Sequence, residues 1–264
     1  MIIFTIIITI IIIVYIYNKF KSPCKNIKTF VDQNNDNKLI PCDLRPFFSS
    51  ITSRLPSIFD KPLYYLSSPI QYIVNKGEYI YIPANYWHWV ISTNNDDDYN
   101  FAVNYWFYKK YEKNNTYFKN NPHVGKFTDN YNDIINLFNE NIKVHEYNTE
   151  VWCPYNYRST TLNKFITNKD EYNTCYMSTM ENKYKKNNNS DANYNFFNKF
   201  KNHVPIPKVL DNIKIYESIF WLNNGGIESP LHYDDYDGLL CVISGQKIVT
   251  LFPPSDSKYL YPLY

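Results

Sequence analysis

Apolar and polar positions change their rhythm several times along this chain. Residues Ile2 to Tyr17 (IIFTIIITIIIIVYIY) are almost wholly apolar and carry no charge. From 22 to 70 the pattern turns irregular, with Pro23, Pro41, Pro46, Pro56, Pro62 and Pro69 between short apolar clusters. One short helix, Phe47 to Arg54, is expected there. Extended segments follow: Ile80 to Ile82, broken by Pro83, then Trp87 to Ile91 and, after the polar loop Asn94 to Asn100, Phe101 to Phe107. Residues 109–122 read as a Lys- and Asn-rich linker. Helical spacing marks Asn130 to Asn141 (Ile134, Ile135, Leu137, Phe138), and Ser159 to Asn168 looks like a helix start. Lys183 to Asn195 is low in complexity and predicts a loop without regular structure. The end is nearly all strand: Ile213 to Leu222, a segment at His232, Leu239 to Ile243, a turn at Ser244-Gly245, and Lys247 to Phe252. The fold class expected is mainly β with a few helices.

The opening apolar run is slightly short of the ~20 residues of a bilayer span, but within reach of the range's lower end. Lys19, Lys21, Lys25 and Lys28 follow it, and no small-residue cleavage site does. The pattern predicts an uncleaved single-pass anchor over 1–21, contacting the lipid bilayer through residues 2–17, with the bulk of the chain cytoplasmic. A buried Ile-rich strand is the alternative. Hydrophobic residues make up 44% of the 264, enough for a core, and the net charge of +2 gives no electrostatic case for nucleic acid. Abundant Tyr, Asn, Lys and Ile read first as an AT-rich coding bias. The five cysteines (Cys24, Cys42, Cys153, Cys175, Cys241) include no C-x-x-C pair, which argues against both a disulfide framework and structural zinc.

Candidate chemistry concentrates near the C-terminus. Ser229-Pro230-Leu231-His232-Tyr233-Asp234 carries a His-x-Asp pair. On an extended strand, residues two apart share a face, so His232 and Asp234 present two metal ligands together. With a second His they make the facial triad of non-heme Fe(II) oxygenases. The bland alternative is a hydrogen-bonded pair inside a β core. Gly245, Lys247, Phe252-Pro253-Pro254 and Leu260-Tyr261-Pro262 follow in order. The run from Ile219 to Tyr261 resembles the first half of a JmjC or cupin-like Fe(II)/2-oxoglutarate oxygenase, nearest the branch containing the asparaginyl hydroxylase of the hypoxia response. The resemblance implies a double-stranded β-helix (jelly roll), iron on His232 and Asp234, and Lys247 paired with the distal carboxylate of 2-oxoglutarate, with Ser229 adding a hydrogen bond. The family often has Asn where this chain has Gly238, which puts one cosubstrate contact in question.

A second stretch, Gly77-Glu78 through Ile82-Pro83 to Trp87-His88-Trp89, with Asn104-Tyr105-Trp106 after it, resembles the other end of that family, where the His is the distal ligand. A tail-like β module (30–108) therefore precedes a head-like module (196–264), joined by a helical and low-complexity region (109–195). Two arrangements remain open. Either His88 completes the site with His232 and Asp234 within one permuted fold, or 30–108 is a separate small element and the C-terminal half lacks its third ligand. His88 packed between Trp87 and Trp89 as an aromatic-cluster residue competes with both.

His123, His145 and His203 read as structural or surface residues. Asp234-Asp235-Tyr236-Asp237-Gly238 lacks the spacing and downstream Glu of a calcium loop. No P-loop, G-x-S-x-G or dinucleotide fingerprint occurs. The leading expectation is a membrane-anchored Fe(II)- and 2-oxoglutarate-dependent hydroxylase acting on a protein or other macromolecular side chain. An aromatic wall of Tyr233, Trp221 and Trp87 is expected to keep water from the iron. The rival is a non-catalytic cupin-like binding or structural module on the same anchor.

Overall fold

The structure, a computed structural model, describes residues 47–93, 99–108, 121–127, 140–146, 157–179, 193, 196, 198–199, 204 and 206–263. Period-two alternation shapes most of it. The strands are β1 (Ile70–Asn75), β2 (Glu78–Ile82), β3 (Trp87–Thr93), β4 (Asn100–Phe107), β5 (His123–Lys126), β6 (Asn141–Glu146), β7 (Tyr157–Thr161), β8 (Cys175–Ser178), β9 (Ile215–Asn223), β10 (Asp237–Ser244) and β11 (Gln246–Phe252). Two short helices, α1 (Leu162–Thr167) and α2 (Lys169–Tyr172), sit between β7 and β8.

Three strands form one sheet in the order β1-β11-β3, and eight form another in the order β5-β2-β10-β4-β9-β8-β6-β7. All these pairings are antiparallel. The early and late strands interleave: β11 lies between β1 and β3, and β10 between β2 and β4. Both edges of β10 and β11 are therefore hydrogen-bonded, and neither late strand is left as a bare template for another chain. Together the sheets make a cupin-type antiparallel sandwich.

Alternation assigns three apolar layers. Val74, Ile80, Ile82, Ala102, Leu240, Val242, Val249 and Leu251 come from both sheets and fill the space between them. Val103, Tyr105, Phe107, Leu239, Cys241 and Ile243 point the other way, onto α1 and Phe196, Val204, Leu210 and Ile213. Trp87, Trp89, Ile91 and Phe252 form a third cluster with Ile51, Leu231 and Leu260 on the outside of the smaller sheet. Because β10 is buried on both faces, its run Gly-Leu-Leu-Cys-Val-Ile is apolar without alternation. The β10–β11 turn needs Gly245 (φ 73°), since a Cβ there would lie 2.6 Å from Asn100 Nδ2 and 2.9 Å from the Thr93 carbonyl.

Several expectations change. Residues 47–54 contain no α-helix: Ser49 N–H donates to Leu231 O (2.9 Å) and Ser50 N–H to Tyr261 O (3.0 Å), so distant chain takes the groups a helix would have used. Of the helix expected at 130–141, residues 130–139 lie outside the described residues, and Asn141 opens β6 instead. The helix expected from Ser159 begins later, at Leu162, with the Thr161 hydroxyl accepting from Lys164 N–H (3.3 Å) as its cap. His232 lies not in a laddered strand but in an irregular extended segment. The anchor expected at 1–21, residues 109–120 of the linker, all of Lys183 to Asn195 except Asn193, and His203 lie outside the described residues; Asn193 is helical and buried rather than in an irregular loop. Among the described residues, no helix is long and apolar enough to cross a membrane.

Candidate metal centre

Segment Ile227 to His232 runs along the open edge of β3. Ser92 N–H donates to Ile227 O (2.8 Å), Ser229 N–H to Val90 O (2.7 Å) and His88 N–H to His232 O (2.7 Å), while His232 N–H returns to His88 O (3.2 Å). His88 and His232 are thus directly opposed across an antiparallel bridge, and their ring centroids lie 4.1 Å apart. Asp234 follows two residues on. Its carbonyl accepts from Asn85 N–H (2.8 Å), in the Pro83–Tyr86 turn where Asn85 takes a left-handed φ of 67°.

The donor atoms of His88, His232 and Asp234 all lie within 4.8 Å of one another. His88 Nε2 is 3.7 Å from Asp234 Oδ2. Each imidazole is oriented by a backbone carbonyl: His88 Nδ1 lies 3.0 Å from Tyr86 O, and His232 Nδ1 lies 2.7 Å from Pro230 O. A carbonyl only accepts, so Nδ1 of each ring carries the hydrogen and Nε2 offers its lone pair to the centre. Burial, reinforced by the neighbouring His88, pushes His232 down to about 4 despite the opposing pull of Asp234, so the ring is neutral at pH 7. Two neutral imidazoles and one carboxylate suit a divalent transition metal, Fe(II) included, and leave positions on it open.

The third group expected here lies farther down the same face. Ser92 follows His88 by four residues on β3, about 13 Å along the strand. Lys247 of β11 pairs with Ser92 in register and is only 4% exposed. Its ammonium donates to Ser92 Oγ (2.8 Å), which also accepts from Asn223 Nδ2 (3.0 Å). Among the described residues Lys247 has no carboxylate partner, and burial pushes its amine down to about 7. Ser229 lies between these ends, its hydroxyl accepting from Val90 N–H (2.9 Å). Ser92, rather than Ser229, touches the ammonium.

The aromatic wall also changes. Trp87 and Tyr233 contact each other (centroids 4.8 Å apart) on the outside of the smaller sheet, within the third cluster. Neighbours along an extended chain point to opposite sides, so Trp87 beside His88, and Tyr233 between His232 and Asp234, must face away from the ligands. Trp221, the register partner of the inward Ala102, faces the interior. Phe48 stacks on His232 (5.5 Å, 22°), and Trp106 Nε1–H donates to Asp234 Oδ2 (3.1 Å). Phe48 and Ser92 had no sequence signal beyond strand parity. Trp106 was visible only as the end of Asn104-Tyr105-Trp106. His123 lies in β5 against the Tyr81 ring, and His145 in β6 against Tyr176. Cys175 and Cys241 are buried free thiols, and Cys24, Cys42 and Cys153 lie outside the described residues.

Comparison with known proteins identifies the family. The model of the cupin-like domain family matches residues 22–113 and 119–263. A putative JmjC domain-containing protein of Acanthamoeba polyphaga mimivirus is 28% identical over 252 residues, covering 82% of this chain and 39% of that protein. A lysine-specific demethylase of Arabidopsis thaliana is 43% identical over 60 residues (23% of this chain, 11% of that protein). A bifunctional peptidase and (3S)-lysyl hydroxylase of Homo sapiens is 44% identical over 46 residues (17% and 15%). The chain thus spans 39% or less of the length of each of these three relatives. No solved structure matches significantly. The chain belongs to the cupin-like domain family, and its relatives carry JmjC domains.

Proposed function

We propose that this chain is an Fe(II)- and 2-oxoglutarate-dependent oxygenase that hydroxylates a side chain of a protein or other macromolecule. The observation that carries the reading is the joint placement, on one inner face, of a His-His-Asp cluster and a buried ammonium with no carboxylate partner among the described residues. Ferrous iron and the keto acid, when bound, supply oxygen activation: one oxygen atom ends in succinate, formed with loss of carbon dioxide, and the other in the hydroxylated product.

The chain's own residues set the geometry. His88, His232 and Asp234 would hold the metal. Lys247 lies opposite Ser92, roughly 13 Å along the strand direction from His88, with its ammonium at the Ser92 hydroxyl. A short dicarboxylate would chelate the metal at one end and neutralise the ammonium at the other. An unpaired buried ammonium is costly, which makes an anion at Lys247 part of the site's design. Ser92 and Asn223 fix the ammonium's direction. Ile80, Leu240 and Val249 line the interior and exclude water from the reacting centre.

The test is iron-dependent succinate formation by the full chain, set beside a His232→Ala variant. Turnover should fall to background in the variant; equal turnover by both discards the catalytic reading. A binding module without catalysis is the second reading, favoured by Gly238, which faces Trp106 across β4 with no polar side chain to meet a cosubstrate. We also propose that residues 2–17 anchor the chain in a bilayer, supported by their uncharged composition and the lysines that follow. Recovery of the full chain in the soluble fraction after membrane separation, unchanged by deleting 2–17, would remove that proposal.

A further inference from the structure

We infer that Trp106 is a positioning residue that fixes the Asp234 carboxylate in the orientation in which it faces the two histidines. The inference rests on the metal-centre reading above.

Trp106 is inward-facing by strand parity. In β4, Val103, Tyr105 and Phe107 enter the outer cluster, so Ala102, Asn104 and Trp106 face the interior. Trp106 is 8% exposed, and a buried indole N–H needs an acceptor. It finds Asp234 Oδ2 at 3.1 Å. The Asn104 amide, turned so that its nitrogen donates to Leu239 O (3.2 Å), sets its oxygen 3.1 Å from the same N–H. The indole is thereby tied to its own strand while it reaches across to the ligand.

An aspartate carboxylate turns freely about its last bond and can grip a cation with one oxygen or two. Here one oxygen already accepts a hydrogen bond, and the backbone of Asp234 is held by Asn85 N–H. The carboxylate plane is set before an ion arrives. The oxygen held by Trp106 is the one that faces His88 Nε2, 3.7 Å away. Less freedom is therefore lost on metal binding, and affinity rises. Nothing else described within hydrogen-bond range of that carboxylate's oxygens offers a neutral, rigid donor.

The test uses Co(II) as the probe, titrated into the full chain and read by both affinity and visible d–d absorption. Trp106→Phe keeps the ring and removes the donor. Its Co(II) affinity should drop by about 10- to 100-fold, as for loss of other hydrogen bonds to metal ligands, and its d–d bands should change with the coordination. Trp106→Gln restores an N–H and should recover most of the affinity. Thermal melts check folding; if Trp106→Phe does not fold, Trp106→Met replaces it as the donor-free variant. Equal affinity and an unchanged spectrum in a folded donor-free variant overturn the role of Trp106 alone. Failure of the unsubstituted chain to bind Co(II) overturns the metal centre itself, and this inference with it.

Discussion

The two ends of the space between the sheets are built by opposite means. At the metal end every candidate ligand is already held: His88 by the Tyr86 carbonyl, His232 by Pro230, and Asp234 by Trp106 and Asn85. At the other end Lys247 is buried with one hydrogen bond to a serine hydroxyl. The first end is rigid before any ligand arrives. The second holds a desolvated amine whose charged form an incoming anion would stabilise. A site of this kind separates two tasks. Preorganisation selects the metal, whereas the relief of a buried ammonium selects a diacid over a monoacid of similar shape.

The largest expected effect comes from severing the second end alone. Lys247→Met removes the charge and keeps the stem. 2-Oxoglutarate binding, measured without oxygen by calorimetry on the metal-loaded chain, should weaken by roughly 30-fold or more, as for truncation of one partner in a buried charge pair. Co(II) affinity should change little. A parallel loss of metal affinity would show that the two ends are not independent.

The next effect is on pH dependence. The Lys247 amine sits at about 7 in the folded chain against 10.5 when free. Between those values the unfolded chain binds more protons, so this group makes stability rise with pH across that window. The melting temperature of Lys247→Met, compared with the parent, should therefore exceed it most near pH 7 and converge with it toward pH 10. Bound 2-oxoglutarate raises the amine's pKa again and should flatten the difference. A gap that is constant with pH would show that Lys247 is not a desolvated amine.

The smallest effect concerns Gly238. A Cβ there would meet its nearest neighbours, Asn104 and Trp106, at 3.5 and 3.7 Å, ordinary contact distances. Gly238→Asn should fold and, by adding an amide to the inner face, tighten 2-oxoglutarate binding a few-fold, or about 1 kcal/mol for one hydrogen bond. Unchanged affinity would indicate that this position lies outside the cosubstrate's reach.

Much of the sandwich was legible in the sequence because its strands are short apolar runs bounded by turn residues. Ile80 to Ile82, Trp87 to Ile91, Phe101 to Phe107 and Lys247 to Phe252 fall within strands that β-branched and aromatic residues favour and that Pro and Gly punctuate. His232, Asp234, His88 and Lys247 stood out by residue type and spacing. What could not be read was which strand lies beside which. The interleaving of β1-β11-β3 and β2-β10-β4 depends on contacts between distant parts of the chain, and local pattern carries no record of them. The same cause hid Ser92, Trp106 and Phe48, whose roles come from cross-strand neighbours. The helix expected at 47–54 failed for that reason too: its Phe, Ser, Ile and Thr residues support a helix only weakly, and pairing with Leu231 and Tyr261 prevailed. The misassigned wall of Trp87 and Tyr233 is different. Strand parity alone already turned both away from the ligands, because each adjoins a residue that must face inward.

The account stands most directly on whether His88, from the early strands, shares one ion with His232 and Asp234, from the late segment. Calorimetric titration of the full chain with Co(II), alongside His88→Ala, decides it. One ion per chain is predicted, with affinity in the variant reduced at least about 100-fold by loss of a ligand, the upper end of what loss of a mere supporting contact costs. Binding of equal strength and stoichiometry by His88→Ala would contradict the shared site and leave His88 as a packed histidine.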